Sequence, residues 1–383
     1  MPNTHLPAPW RERLELENLK RHRIGRERVI VPPSGLDFCS NDYLGLRRDP
    51  RLTDAACEAA RIWGAGAGSA RLLRGDCPLH GDLETTLATW KGTETALLFS
   101  SGYQCNISVL PTLIREGDAI FSDALNHASI VDGCRMAKHR GARVCVYAHN
   151  DLQDLDQRMR WWRRNSPSHA LALVVTDAVF SMDGDTADLS GLLDLCERHH
   201  ALLMVDEAHA TGLLGKTGAG WVEQQGLKGR IPLLMGTLGK ALGSFGAYLA
   251  CSHLLREELV NACRGFIYTT SLPPPTLAAA LEGARIAQTE LWRRDRALAH
   301  AVRLREALGL SPQPSAIVPV PAGPDERAMH AAQKLQLKGL DVRAIRPPTV
   351  PEGTSRFRIT THALLEDADL DKLIDALQPL VRP

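Results

Sequence analysis

A lysine among small residues, Gly236-Thr237-Leu238-Gly239-Lys240-Ala241-Leu242-Gly243, follows an apolar run that ends in acid and imidazole, Leu202-Leu203-Met204-Val205-Asp206-Glu207-Ala208-His209. The run reads as a buried strand that delivers Asp206 and His209 at its C-terminal end. A lysine amine can form a Schiff base, and a buried carboxylate can keep a pyridine nitrogen protonated so that the ring draws off electrons. Lys240, Asp206 and His209 are thus the parts needed to hold pyridoxal phosphate (PLP), with His209 donating to the phenolate oxygen.

Three further segments sit where a strand gives way to a helix. Phe99-Ser100-Ser101-Gly102-Tyr103-Gln104 offers free backbone N–H groups and small residues to a phosphate, with Tyr103 placed near a ring. Thr237 and Thr269-Thr270-Ser271 are additional phosphate ligands by type and place. Asn126-His127-Ala128-Ser129 opens another helix, and a neutral imidazole there can stack on a conjugated ring while donating at its edge. In Phe180-Ser181-Met182-Asp183-Gly184-Asp185, Ser181 is the candidate to bond cofactor or substrate, and the acids read as turn residues.

Two competing motifs fail on their own requirements. Asp206-Glu207-Ala208-His209 spells a helicase box, but the phosphate loop such enzymes need is missing upstream. Gly215-Lys216-Thr217 follows the box, and the first Gly of that loop falls on Ala210. Gly64-Ala65-Gly66-Ala67-Gly68-Ser69 lacks both the last Gly of a dinucleotide fingerprint and a preceding apolar strand.

The elements that must position these residues alternate. Strands are expected at Ala96–Phe99, Asp118–Phe121, Arg143–Tyr147, Ala172–Thr176, Ala201–Val205, Leu233–Met235 and Gly246–Ala250, with helices at about 79–91, 103–115, 127–140, 151–163 and 189–199 between them. That alternation predicts an α/β fold with a mostly parallel sheet covered by helices. Residues 10–24 read as a charged amphipathic helix and 36–45 as a short strand and turn. Residues 276–308 read as one long helix, followed by a Pro-rich segment, Ser311–Pro324, and a small α+β unit. The expected division is an N-terminal arm (1–40), a large domain (41–275) and a small C-terminal domain (276–383).

Composition narrows the class. The chain has 383 residues, 44% of them hydrophobic, and a net charge of +1, which supports a large core and no nucleic-acid surface. Nine cysteines without a C-x-x-C pair or metal spacing predict free thiols, no metal centre and a reducing, cytoplasmic setting. No run is long enough to span a bilayer.

Taken together, Ser40-Asn41-Asp42-Tyr43-Leu44-Gly45-Leu46, Gly66–Gly75, Ser101-Gly102-Tyr103, Asn126-His127-Ala128-Ser129, Phe180–Asp185, Asp206–Gly212 and Thr237–Lys240 resemble the α-oxoamine synthases, PLP-dependent enzymes of the aspartate aminotransferase fold (fold type I). The resemblance runs in order from about residue 36 to the end. It implies condensation of an amino acid with an acyl thioester and loss of carbon dioxide. By the same resemblance Lys240 carries the cofactor, His127 stacks on its ring and Asp206 pairs the pyridine nitrogen. His209 and Ser181 meet the phenolate side, and Gly102, Tyr103 and Thr237 place the cofactor. It further implies a homodimer with interfacial active sites, Thr270 reaching the neighbour's phosphate.

Ala344–Pro351 and Ser355–Thr360 resemble most the biotin-pathway member, which joins L-alanine to pimeloyl-CoA or pimeloyl-ACP. In that reading Arg358 binds the amino-acid carboxylate through its planar fork, with Arg346 a second carboxylate candidate. Arg21, beside Lys20 and Arg23, is the candidate for the distal carboxylate of the acyl chain. Glycine C-acetyltransferase, 5-aminolevulinate synthase, serine palmitoyltransferase and a CoA-independent fold type I aminotransferase are the alternatives.

Overall fold

The computed structural model describes residues 6–381, so the first five residues of the expected arm lie outside the described residues. Strands follow in chain order as β1 (Leu36–Asp37), β2 (Thr95–Phe99), β3 (Ala119–Asp123), β4 (Arg143–Tyr147), β5 (Ala172–Asp177), β6 (Ala201–Asp206), β7 (Leu233–Thr237), β8 (Ala247–Cys251), β9 (Ile317–Gly323), β10 (Leu340–Asp341), β11 (Ala344–Ile345) and β12 (Ser355–Thr360). Seven of them form the main sheet in the order β2-β8-β7-β6-β5-β3-β4. Only β8 runs against its neighbours, β2 and β7. The expected α/β fold with a mostly parallel sheet is the one observed.

The strands are apolar on both faces because helices cover both faces. Successive residues alternate between two cores: Phe121, Val174, Leu203 and Val205 enter one, and Ile120, Leu173, Val175 and Met204 enter the other. The parallel strands end together at one edge of the sheet. That edge carries Asp123, Asp177, Asp206 and Thr237, and the open crevice of such a sheet lies outside these carboxyl ends.

Four expectations change. The stretch expected as one helix from 276 to 308 is two, Pro274–Thr289 and Leu291–Leu308, broken at Glu290. There the Glu290 carboxylate takes hydrogen bonds from Arg293 (2.7 Å) and Arg51 (2.5 Å). The Pro-rich stretch conceals β9, an edge strand in the order β11-β12-β9. Pro319 and Pro321, two residues apart, face opposite Arg358 and Arg356, so both lack their N–H on the same side of the strand, as an edge allows. A helix over Pro50–Trp63, not anticipated, begins at a capping Asp49 followed by Pro50. By core membership, the small unit begins later than 276. Leu277, Ala284 and Ala297 join the large core, and Ala301 and Leu304 the small one.

The N-terminal helix forms over Ala8–Arg23 with no buried residue, and β1 pairs in parallel with β10. Among the described residues no helix is long and apolar enough to cross a membrane.

Helices Gly102–Leu113 and Ala128–His139 pack closely because Gly133 has no side chain. A Cβ there would lie 2.6 Å from the Asn106 backbone oxygen and 2.9 Å from Leu110 Cδ1. Gly133→Ala is expected to destabilise the fold by about 1–3 kcal/mol through overpacking. Chemical denaturation measures this, and an unchanged midpoint would show that the two helices re-space freely.

Candidate active site

Lys240 follows the end of β7 and faces Asp206 at the end of β6 across a cavity of about 220 Å³. Gly102, Tyr103, His127, Ser181, His209 and Thr237 share that cavity, so nine of the twelve candidate residues are present once Arg358, directly behind Ser181, is counted with them. Thr270, Arg346 and Arg21 lie elsewhere.

The strand end sends its two acids in opposite directions. Asp206 is 4% exposed, and its carboxylate accepts from Ala208 N–H and Asn106 Nδ2, each at 2.9 Å. Glu207 turns away and is wholly buried against Lys91, with Oε2 to Nζ at 2.7 Å. Its other oxygen accepts from Val222 N–H at 2.8 Å. Burial pulls the Lys91 ammonium down, but the charge and hydrogen bonds of Glu207 and Tyr248 together leave its pKa raised. Gly220 has to be glycine here: its φ is +126°, and a Cβ would sit 2.4 Å from Glu207 Oε1.

Lys240 Nζ lies 2.9 Å from His209 Nε2, and His209 Nδ1 lies 2.7 Å from the Tyr43 hydroxyl. Burial lowers the Lys240 pKa to about 8, with Asp206 opposing and Arg358 adding to the fall. Burial and the Lys240 charge push His209 well below the usual histidine range. A third acid, Asp177 at the end of β5, is raised well above the carboxylate range by burial and by Asp206, and it accepts the His127 backbone N–H at 2.8 Å.

His127 caps the N-terminus of its helix, taking the Ser129 N–H on Nδ1 at 3.2 Å. Burial lowers its pKa, opposed by Asp206 and reinforced by Lys240. Tyr103 borders the cavity, but its hydroxyl turns outward to Asp132 Oδ2 at 2.6 Å. Arg358, 8% exposed, donates from Nε to the Ser181 carbonyl. Two places along the same face of β12, Arg356 pairs with Asp183, so the 180–185 turn is gripped twice. His149 grips it a third time, bridging Asp123 (2.9 Å) and Asp185 (2.7 Å), and these two carboxylates raise its pKa to about 10 against the opposing pull of burial.

The residues outside the cavity have other partners. Thr270 forms an isolated bridge with Ala70 on the exposed surface. Arg346 donates to the carbonyls of Gly25 and Glu27 and so ties the N-terminal segment to the C-terminal unit. Arg21 donates to Asn18 Oδ1 at 3.0 Å on the exposed N-terminal helix.

The donor set fits pyridoxal phosphate. The Thr237 hydroxyl is buried without a partner among the described residues. It lies beside the helix start at Gly102, whose first-turn N–H groups have no carbonyl to receive them. A Cβ on Gly102 would come within 2.8 Å of Thr237 Cγ2, so only glycine leaves this corner open. An anion corner, a carboxylate and an amine thus line one cavity.

Sequence reasoning missed Asn106, Tyr43 and Asp177, and it gave Ser129 no role. Asn106 held the one available signal: a polar side chain on the helix face that also buries Cys105, Val109 and Leu110.

Comparisons with known proteins bear on the family and the fold. A family model described as "Aminotransferase class I and II" matches residues 33–377. An 8-amino-7-oxononanoate synthase of Anaeromyxobacter dehalogenans is 49% identical over 347 residues, covering 89% of this chain and 85% of that protein. Among solved structures, a serine palmitoyltransferase from S. paucimobilis with bound PLP-myriocin superposes with a TM-score of 0.87 at 32% identity, covering 96% of each chain. An 8-amino-7-oxononanoate synthase from Francisella tularensis gives a TM-score of 0.74 at 26% identity, covering 90% of this chain and 97% of that one. Backbone shape is shared between members with different named substrates, and the higher sequence identity lies with the first of them.

A lysine with a pKa of about 8 is a charged ammonium below that pH and a free amine above it. Reductive methylation of Lys240 in the cofactor-free protein, read by mass spectrometry, is expected to accelerate with pH and level off above about pH 8. An ordinary lysine keeps climbing to about pH 10.4, and that behaviour here would refute the desolvated amine.

Proposed function

The chain belongs to the class I and II aminotransferase family, and from that premise we propose that it condenses L-alanine with a pimeloyl thioester, releasing carbon dioxide and yielding 8-amino-7-oxononanoate. The observation that carries the chemistry is the Lys240 amine, depressed to about 8, sharing a cavity with the Asp206 carboxylate. The choice of substrates is supported by the 49% identical relative of that name and by the 344–360 segment. Pyridoxal phosphate, once bound, supplies the Schiff-base carbon and the electron sink that make loss of the Cα proton and of carbon dioxide accessible at neutral pH.

Each residue then has a task. Lys240 would hold the cofactor, with Asp206 meeting its pyridine nitrogen and His127 its ring. His209 and Ser181 would meet the phenolate side, while Gly102, Tyr103 and Thr237 would help place the cofactor. With the cofactor bound, the Lys240 amine would be the group that takes up the Cα proton of alanine, and its lowered pKa matches that work near neutral pH. Arg358 holds the alanine carboxylate, its guanidinium steadied by the Ser181 carbonyl. His127 offers a hydrogen bond to the acyl oxygen as negative charge develops there. His209, braced by Tyr43, keeps the amine in place. Arg21 remains the candidate for the distal acyl carboxylate, and Arg346 a second carboxylate candidate beside Arg358.

The same proposal includes a homodimer. Trp10, Leu14, Leu16, Leu19, Val29 and Ile30 are exposed on the N-terminal helix and the segment after it, apolar side chains that a second copy could cover. Thr270, exposed and outside its own cavity, is free to reach the phosphate of a second copy. All nine cysteines are free, which suits a reducing cytoplasm.

A mass-spectrometric competition on the PLP-loaded protein tests the assignment, using L-alanine, glycine and L-serine with pimeloyl-, acetyl-, succinyl- and palmitoyl-CoA, and pimeloyl-ACP in parallel. The expected dominant product is 8-amino-7-oxononanoate. A dominant product from serine and palmitoyl-CoA would instead follow the structural likeness to serine palmitoyltransferase, and no thioester-dependent product would leave an aminotransferase. In the same protein, Asp206→Asn is expected to retain cofactor but slow α-proton exchange of alanine by roughly 100-fold or more. Near-normal exchange would remove Asp206 from its role.

A further inference from the structure

The hydrogen bonds around His127 can be assigned a direction. A backbone N–H only donates, so the Ser129 N–H at 3.2 Å requires His127 Nδ1 to present a lone pair. Ser129 Oγ lies 2.7 Å from the same nitrogen. Asn106 Nδ2 is 2.9 Å from Ser129 Oγ and 2.9 Å from Asp206 Oδ2. An amide nitrogen also only donates, so both of its hydrogens are committed. Ser129 Oγ therefore accepts from Asn106 and keeps its own hydrogen for His127. The amide's orientation is set by Asp206, because the flipped amide would bring Asn106 Oδ1 against a carboxylate oxygen, acceptor to acceptor. Asn106 Oδ1 is left buried with no partner, as that constraint demands.

We propose that Asp206, acting through Asn106 and Ser129, locks His127 as the neutral tautomer protonated on Nε2, and that Asn106 and Ser129 are positioning residues for the group that meets the acyl oxygen. The second half rests on the acyl-transfer reading; the lock itself does not. His127 Nε2 has no protein partner among the described residues, and the ring borders the cavity. Charging the ring would put a hydrogen on Nδ1 against the Ser129 N–H, so the cap opposes protonation. The groups facing the ring are Asp206, which favours the charged form, and Lys240 and burial, which oppose it. Asp177 meets its backbone N–H, and His209 stands across the cavity. A neutral imidazole is too weak an acid to surrender its proton outright. It stabilises a developing oxyanion by a preorganised hydrogen bond instead.

Histidine-selective 15N NMR of the PLP-loaded protein tests the lock, with His127→Asn identifying the signal. The expected spectrum shows an unprotonated Nδ1 and a protonated Nε2 between about pH 6 and 8. Ser129→Ala keeps the backbone N–H on Nδ1 but removes the hydroxyl that links the ring to Asn106 and Asp206, so the other tautomer or the charged ring should gain population, and Ser129→Thr should restore the original pattern. With Ser129→Ala, kcat for condensation should fall about tenfold while KM for alanine stays within about twofold. A protonated Nδ1 in the unaltered protein would overturn the proposal, and that spectrum decides the matter even where a variant fails to fold. An unchanged Ser129→Ala spectrum would overturn it as well. The predicted spectra in a protein that makes no condensation product would uphold the lock and sink the acyl-transfer reading.

Discussion

A single carboxylate placed at the end of a central strand, out of reach of bulk water, constrains everything around it. Burying such a charge is costly unless donors surround it. Asp206 receives one from the turn that follows it, Ala208 N–H, and one from a neighbouring helix, Asn106. Its remaining field acts on Lys240, His127 and Asp177, favouring the charged forms of the first two and suppressing the charge of the third. The site is therefore one electrostatic unit rather than a set of independent ligands. The parallel sheet exists to bring β3, β5, β6 and β7 to that point in register.

The division of labour between adjacent residues follows from the same constraint. Asp206 and Glu207 are neighbours of the same sign, and both are almost fully buried. They coexist because the chain turns them to opposite sides and gives Glu207 its own cation, Lys91. A tetrapeptide that spells a nucleotide-dependent motor signature thus has an unrelated physical meaning here: one acid for the cavity and one for the core.

Much of this could be read from the sequence because its signals are local. Apolar strands ending in polar residues announced the sheet edge, and Lys240, Asp206, His209, His127 and Thr237 stood at those ends. Residues whose value lies in distant pairing gave weaker signals. Asn106 is one of three buried polar residues, with Ser108 and Thr112, on a largely apolar helix, and Tyr43 reaches His209 only through the fold. The strand β9 was hidden because proline normally argues against strands, and only knowledge that it is an edge lifts that objection. Arg346 was placed by the resemblance of its segment and Arg21 by the charge of its helix, and neither specifies distance: one arginine holds backbone carbonyls, the other a neighbouring asparagine.

The parallel pairing of β1 with β10 joins an early segment of the chain to a late one. Phe38 and Tyr43 carbonyls receive the N–H groups of Thr360 and Ala363, and the Thr360 hydroxyl meets the Ser40 carbonyl. During vectorial synthesis these early residues leave the ribosome long before their partners exist. The large sheet can collapse around its own strands in the meantime, but Tyr43 cannot be seated behind His209, nor Arg358 behind Ser181, until the last segment arrives. Closing so long a loop is entropically slow. A nascent chain can therefore build its large sheet before residues 340–363 arrive to complete the seating of Tyr43 and Arg358.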